Sequence, residues 1–456
     1  MNNKYYTAIL FISRSIPIFV AITNKGKCPG VAKVHHNCMR LNIFLLLFTT
    51  TLLAAITAHA QQTEGIPLKK LSPKNAVAKK DTVAVVNKGV RQKDLGDVLN
   101  ELFNSKPSSE IDSITSKPQI SVVPAVGYTL VTSFAIVVSG NIAFRNGPDS
   151  RISTVVASAS YTQNKQIIIP LQTNFWTGNN KYDFIGSYSF LKYPQDTYGL
   201  GSNTRITNAN PMSYSLMQLY ETVLRHVSGN FYAGLGYDFD THWDISQQGN
   251  PDGSVSDYTK YGTASRSTAS GLTANVILDS RDNAINPSLG AYVGLQYRNS
   301  VKFLGSSSDW GSLIIDARKY IKLPEGSDNV LALWSYDWLI LSGKTPYLDL
   351  PATGWDANFA TGRGYIQGRF RGSQMVYFES EYRFRISANG VLGGTVFLNA
   401  ESFSGAQGTH LQSLQPGYGP GLRVKLNKVS KTNISINYGF GNQGSNGLFI
   451  SVGEAF

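Results

Sequence analysis

Cysteine is almost missing from this chain. Its only two, Cys28 and Cys38, fall within an N-terminal stretch that reads as a removable leader, so the remainder has neither disulfide nor thiol chemistry to draw on. Long apolar runs are missing as well. Beyond residue 60 nothing reaches the roughly 20 consecutive apolar residues that a membrane-crossing helix needs. Histidine is scarce: past the leader stand His226, His242 and His410, in no metal-ligand spacing, so neither a metal nor a cofactor is expected. No G-x-S-x-G elbow and no H-E-x-x-H helix occurs, and Gly417-x-Gly419 opens no helix. The residues of a hydrolase, a zinc protease or a nucleotide loop are therefore lacking, and the chain reads as a non-enzyme. Charge is thin too. The formal net charge is +12, but the leader carries Lys4, Arg14, Lys25, Lys27, Lys33 and Arg40 with no acidic residue; removing those six leaves +6, too mild for a nucleic-acid partner.

What the chain does contain is aromatic and glycine-rich alternation. Hydrophobic residues make up 42%, which is too apolar for disorder, and 24 Tyr, 22 Phe and 43 Gly are what many half-buried strands produce. The leader, 1–60, has its own grammar. Met39-Arg40 is a short basic start, Leu41 to Ile56 an apolar core, and Ala58-His59-Ala60 a small-x-small cleavage site. Met39 is read as the true start of a signal peptide over 39–60, with 1–38 an upstream extension; a long leader or an anchor near 8–22 are the alternatives.

Residues 61–118 are polar, lysine-rich and poor in aromatics, and read as a periplasmic linker. Within it Leu95, Val98, Leu99, Leu102 and Phe103 share one face of a short amphipathic helix over 93–105, ended by Lys106-Pro107. Such a helix suits a linker packed on its neighbour, a plug for a lumen, or a dock for a periplasmic or outer-membrane partner. From Gln119 on the period changes to two. In 433–440, Ile434, Ile436, Tyr438 and Phe440 oppose Asn433, Ser435, Asn437 and Gly439. In 375–386, Val376, Phe378, Tyr382, Phe384 and Ile386 oppose Glu379, Glu381, Arg383 and Arg385. Charge on the polar face suits a wet lumen, and runs of about 9–14 residues suffice to cross a bilayer at a tilt. About sixteen such runs follow one another. Long connections (194–211, 241–266, 342–372, 404–416) fall after odd strands and tight Gly/Pro/Asn/Ser turns after even ones. The expected fold is all-β: a 16-stranded antiparallel transmembrane β-barrel over 119–456, in contact with outer-membrane lipid. Leu448, Ile450, Val452 and Phe456 are placed on one face of the last strand, which is similar to the C-terminal sorting signal read by the barrel-assembly machinery.

Four motifs in order then resemble the BamA/TamA superfamily of outer-membrane barrels. Gly362-Arg363-Gly364-Tyr365, followed by Gly368-Arg-Phe-Arg-Gly372, resembles the family's R-G-(F/Y) motif in its sixth extracellular loop. Asp279-Ser-Arg281-Asp282-Asn283 with Pro287 and Gly290 looks like its periplasmic hairpin; Glu381-Tyr-Arg-Phe384 looks like its E-x-R-F strand; Gly417, Gly419, Gly421 and Arg423 look like its glycine-rich strand. The resemblance implies that Arg363, with Gly364 and Tyr365, folds back into the lumen as a latch against acidic wall residues. By alternation the inward partners are Glu379, Glu381, Asn399 and Glu401, with Arg363 expected on Glu381 or Glu401. The glycines of 417, 419 and 421 would leave room for the loop.

Two departures from the family pattern stand out: Asn399 where the family has an Asp, and Gly362 where it has an aliphatic residue. Segment 61–118 is too short for a POTRA domain, so the resemblance is to a member without one. What it implies is insertion or translocation of protein or lipid at the outer membrane, together with partner proteins. A passive or gated channel is the alternative, and an outer-membrane hydrolase the remote one.

Overall fold

The computed structural model describes residues 92–102, 118–428 and 430–456. The leader with its cleavage site, most of 61–118 and Phe103 lie outside the described residues.

The described chain begins with a helix, α1 (Leu95–Leu102), which starts two residues later than the 93 expected from spacing; the expected end at 103–105 lies outside the described residues. Asp94 caps it: Asp94 Oδ1 accepts from Asp97 N (3.0 Å) and Asp97 Oδ2 accepts from Asp94 N (3.1 Å), a reciprocal box that satisfies two orphan donors. Seventeen strands follow: β1 (Gln119–Thr129), β2 (Ser133–Arg145), β3 (Ile152–Thr162), β4 (Ile167–Trp176), β5 (Tyr182–Lys192), β6 (Gln195–Thr197), β7 (Asn210–Ser228), β8 (Phe231–Gln247), β9 (Arg266–Asp279), β10 (Gly290–Ser300), β11 (Trp310–Lys322), β12 (Val330–Gly343), β13 (Gln374–Arg385), β14 (Leu392–Phe403), β15 (Gln415–Asn427), β16 (Thr432–Gly441) and β17 (Asn446–Val452). Every pairing is antiparallel, between chain neighbours except that β5 passes over β6 to pair with β7, and β1 meets both β2 and β17, so the sheet closes. The three-residue β6 pairs only with the start of β7 and extends the line of β5, which leaves sixteen staves. The fold class is the 16-stranded all-β barrel anticipated from the pattern.

The barrel is inside-out relative to a soluble protein. Ile136 is 73% exposed and Leu235 72%, while Glu379, Glu381, Arg383 and Glu401 are buried. Along β13 burial alternates residue by residue from Gln374 to Phe384, with Glu379, Glu381 and Arg383 inward alongside Met375 and Tyr377, and Val376, Phe378, Tyr382 and Phe384 outward. Only a hydrocarbon surround makes that pattern stable, because closure satisfies every interior strand's backbone and the apolar band faces lipid. Even staves return through short turns such as Ser228 to Phe231 and Asn427 to Thr432, and the long connections sit at the other end.

Two expectations about connections need correction. Residues 241–247 are not loop: β7 and β8 run on together past the rest of the barrel, paired as far as Met212↔Gln247, with the five-residue α2 (Asp257–Tyr261) in what remains of the connection. β6 was also not foreseen, since Pro194 and the polar Gln195-Asp196 read as loop. At the turn end of the barrel, α1 lies against the β13–β14 and β15–β16 turns. Lys93 N donates to Asn389 O (3.0 Å), and Lys428 reaches Asp97 (3.1 Å).

Candidate functional site

The chain between β12 and β13 is a long loop that enters the lumen instead of arching away from it. It is folded on itself: Thr353 N donates to Phe370 O (3.0 Å), Gly368 N to Thr353 O (2.8 Å), and Tyr365 N to Gly362 O (2.9 Å). Arg371 ties its base by donating from Nη1 to the carbonyls of Tyr347, Leu348 and Leu350 at 3.1–3.2 Å. Arg369 ties its outer edge to Thr204 O (2.7 Å) and Gln443 Oε1 (3.0 Å).

At the tip, Arg363 is 5% exposed and points at β13. Its Nη2 donates to both Glu379 and Glu381, and Nε lies 3.4 Å from Glu379 Oε2. The guanidinium lies over the Phe397 ring, 3.9 Å from its centre. Desolvating this cation is offset by two carboxylates and a ring face, the arrangement a buried charge requires. Glu401, the alternative partner by alternation, takes Thr353 Oγ1 instead (3.1 and 3.2 Å), further up the same loop. Asn399 Nδ2 donates to Arg363 O (2.9 Å), a role a carboxylate could not fill; its departure from the family's Asp thus pairs with a carbonyl, not with the guanidinium.

The glycines mark where backbones touch. A Cβ on Gly362 (φ +77°) would lie 2.3 Å from Thr353 Cγ2 and 3.1 Å from the Glu401 carboxylate, which accounts for glycine where the family pattern has an aliphatic residue. A Cβ on Gly417 would meet Arg363 O at 2.5 Å. The other two glycines of that strand do not meet the loop: Gly419 makes room for Phe397 and the neighbouring strand, Gly421 for Asn437 and Thr395. The loop rests instead on Gly439 and Gly441 of β16, whose Cβ atoms would lie 2.6 Å from Gly364 N and from the Tyr365 ring. Sequence reasoning did not single out that pair, although both lie on the small-residue face of an otherwise aromatic strand. Gly364 itself has φ +109° and sits with its Cβ direction 2.6 Å from Phe440 O. Gly364→Ala is therefore expected to cost on the order of 1–3 kcal/mol in backbone strain alone and to lift the loop tip. A lowered urea midpoint together with raised bilayer conductance would register this; unchanged conductance would place the tip elsewhere.

Tyr365 completes the tip. Buried at 1% exposure, it packs edge-on against Phe370 (5.2 Å), donates to Pro416 O (2.6 Å) and accepts from Asn442 N (2.9 Å). Ser445 Oγ donates to Gly364 O (2.8 Å). Asn442 and Ser445 belong to the β16–β17 turn, so the loop is fixed to β13 on one side and to the last hairpin on the other.

The expected common face of Leu448, Ile450, Val452 and Phe456 does not hold for its last member. β17 ends at Val452, which is 56% exposed; Gly453 (φ +107°) turns the chain, and Phe456 is folded into the lumen at 4% exposure. There it stacks on Trp334 (5.0 Å, 25°), and Arg383 Nη2 donates to Phe456 O (2.9 Å). Arg383 Nε also donates to Glu381 Oε1 (2.6 Å), while Glu454 pairs with Arg423 (2.5 Å). An unbroken chain of contacts thus runs from Arg363 through Glu381 and Arg383 to Phe456.

The hairpin residues between β9 and β10 make a separate, self-contained turn. Arg281 bonds both oxygens of Asp279 (2.9 Å each), and Asn283 Oδ1 accepts from Ile285 N and Asn286 N (2.9 and 2.8 Å). Pro287 is buried there, and Gly290 has φ +98°. Asp282 accepts from Ser288 N (2.8 Å), Ser288 Oγ (2.7 Å) and Leu289 N (3.0 Å). Partial burial pushes its carboxyl up, but those hydrogen bonds prevail and hold it below the usual range.

Comparison with known proteins places this geometry. Residues 157–456 match the Omp85 superfamily domain. Among solved structures, BamA from Haemophilus ducreyi lacking POTRA domains 1–3 is similar over 74% of this chain and 69% of its own, at 15% identity and a TM-score of 0.48. CdiB from Acinetobacter baumannii is similar over 74% and 59%, at 14% identity and a TM-score of 0.49. CdiB from Escherichia coli is similar over 74% and 67%, at 10% identity and 0.47. No curated protein matches at the sequence level. The chain belongs to the Omp85 superfamily, as a β-barrel of the bacterial outer membrane.

Proposed function

We propose that this barrel inserts or translocates protein or lipid at the outer membrane, through a seam between β1 and β17 held shut from inside by the latched loop. The observation that carries this is the inequality of the seam. β1 is in register with β2 along all of Gln119–Thr129, whereas it meets β17 at one pair, Tyr128↔Ile450. β16 and β17 pair from Ile434↔Val452 to Phe440↔Asn446. A strand that leaves most of its edge unpaired offers a template for an incoming strand or an exit into lipid, and is the weakest place in a closed sheet. The loop's hold on the β16–β17 turn puts the lock beside that seam. No catalysis is involved in this reading. Partners are the surrounding lipid, the assembly machinery during biogenesis, and a periplasmic or outer-membrane protein that competes with the barrel turns for α1.

The test is a seam cross-link. Residues 61–456 contain no cysteine, so Tyr128→Cys with Ile450→Cys gives one possible disulfide. Facing residues of an antiparallel pair lie about 4.5–5.5 Å apart at Cα, inside disulfide range. Oxidation is expected to abolish the ability of the gene to restore a deletion strain's outer-membrane composition, and reductant to return it. Full activity of the oxidised form would rule the seam out.

A further inference from the structure

The half of the lumen away from the latch holds a cavity of about 360 Å³ that the loop does not fill. Its walls come from β4, β5 and β7–β12, and its roof from loop residues Asp349, Trp355 and Asp356. Its lining holds several polar atoms with no hydrogen-bond partner among the described residues. Three are donors, the indole Nε1 atoms of Trp310, Trp338 and Trp355; two are acceptors, Asp238 Oδ1 and Asp349 Oδ2; the sixth is His242 Nδ1, 3.6 Å from Asp349 Oδ1. Trp310, Asp238 and Asp349 are each at least nine-tenths buried. Leaving such groups unpaired is costly, so their convergence on one cavity points to something that bonds them.

The mixture of donors and acceptors selects the ligand class. A cation could serve the carboxylates but not the indole N–H groups; an anion could serve only the N–H groups; a hydrocarbon neither. A hydroxyl donates and accepts, so a polyhydroxylated ligand satisfies both sets. The other lining residues agree. Trp338 packs on the hydrophobic cluster around Trp334 but is only partly buried, and its part in the cavity wall is open to the apolar side of a sugar ring. Gln218 and Gln296 on the wall add amide oxygens, their nitrogens being held by Tyr220, Asp240 and Asp238, while Arg298, donating to Ser300, Asp240 (2.7 Å) and the Asp238 carbonyl, keeps that wall rigid. The volume is at the small end of ligand sites, in the range of one or two sugar rings.

We infer that the lumen contains a carbohydrate-binding site of mono- to disaccharide size, centred on Trp338 with Trp310, Trp355, Asp238 and Asp349. Because Asp349 and Trp355 belong to the latched loop, a bound sugar would bridge the loop to the wall and hold the lumen closed. This goes beyond the insertion or translocation reading and does not depend on the seam.

The test uses the barrel purified in a detergent without a sugar headgroup. Tryptophan fluorescence and calorimetry are followed against glucose, maltose, cellobiose, lactose and trehalose, with spermidine and inorganic phosphate as the cation and anion arms. At least one sugar is expected to shift the fluorescence and saturate at or below roughly 10 mM. Trp338→Phe, which keeps a ring but loses the N–H, is expected to weaken it about tenfold; Asp349→Asn in the loop tests the acceptor side independently should the first variant fold poorly. Heat-modifiable gel mobility checks that each variant forms the barrel. Saturation by spermidine or phosphate with no sugar bound would overturn the assignment, as would silence from every probe, and so would sugar binding that neither variant changes.

Discussion

Arg363→Ala is expected to convert a nearly closed lumen into a conducting one. The native side chain answers two buried carboxylates, Glu379 and Glu381, and among the described residues no other cation pairs with Glu379. Truncation leaves Glu379 as an unpaired charge beside Glu381, which keeps Arg383, in a desolvated site, and breaking a buried ion pair in this way costs about 3–5 kcal/mol. Part of the cost is avoided if the loop lifts and lets water reach the carboxylates, so the penalty acts as a force toward opening. A closed state favoured by about 99 to 1 and weakened by about 3 kcal/mol would be open more than half the time. Planar-bilayer recordings should show rare brief openings for the native protein and frequent long ones for the variant. Replacing Glu379 by Gln as well should return much of the closure, since the uncompensated charge is then gone while Glu381 stays paired with Arg383. Equal, steady conductance of all three proteins would instead support a passive channel and remove the latch from the account.

Much of this arrangement could be read before any coordinates. Period-two alternation located the sixteen staves within a few residues because lipid outside and water inside impose opposite polarity on successive side chains. Glu379 and Glu381 were legible as inward for the same reason, since Tyr382 and Phe384 had to face lipid. Alternation does not carry axial height, however, so Glu381 and Glu401 looked equivalent as partners for Arg363; the loop's own fold places Thr353 at Glu401 and the Arg363 tip lower, across Glu379 and Glu381. The contact on Gly439 and Gly441 was illegible because glycine on a strand signals close approach without saying by what. The inward turn of Phe456 was hidden by a rule that is sound within a strand but lapses at Gly453, where a left-handed φ breaks the alternation. The extension of β7 and β8 was missed because Thr241–Gln247 is polar except for Trp243 and Ile245, and the positive φ of Asp244 (+54°) with the bulge opposite it breaks the alternation.

The second large effect concerns coupling. Glu381 is shared: one oxygen accepts from Arg363 of the loop, the other from Arg383, which also holds Phe456 O (2.9 Å) with its guanidinium beside the Phe456 ring (5.4 Å). Displacing β17 from the seam would draw Phe456 off Trp334, free Arg383, and leave Glu381 able to turn away from Arg363. Phe456→Ala, which gives up the stack on Trp334 while leaving the loop untouched, is therefore expected to raise conductance in the same manner as Arg363→Ala, though less. Combining the two should add far less than their sum, with an interaction of about 1–3 kcal/mol, as for residues in one hydrogen-bonded network. The measurement is a double-mutant cycle on open probability, with urea midpoints of the same four proteins as a second axis. Strict additivity would mean that the Phe456 stack and the Arg363 latch are independent closures that happen to share a wall. Coupling of the expected size would make Glu381 the link by which a strand pulled from the seam releases the loop, so that lateral opening and lumen opening occur as one event.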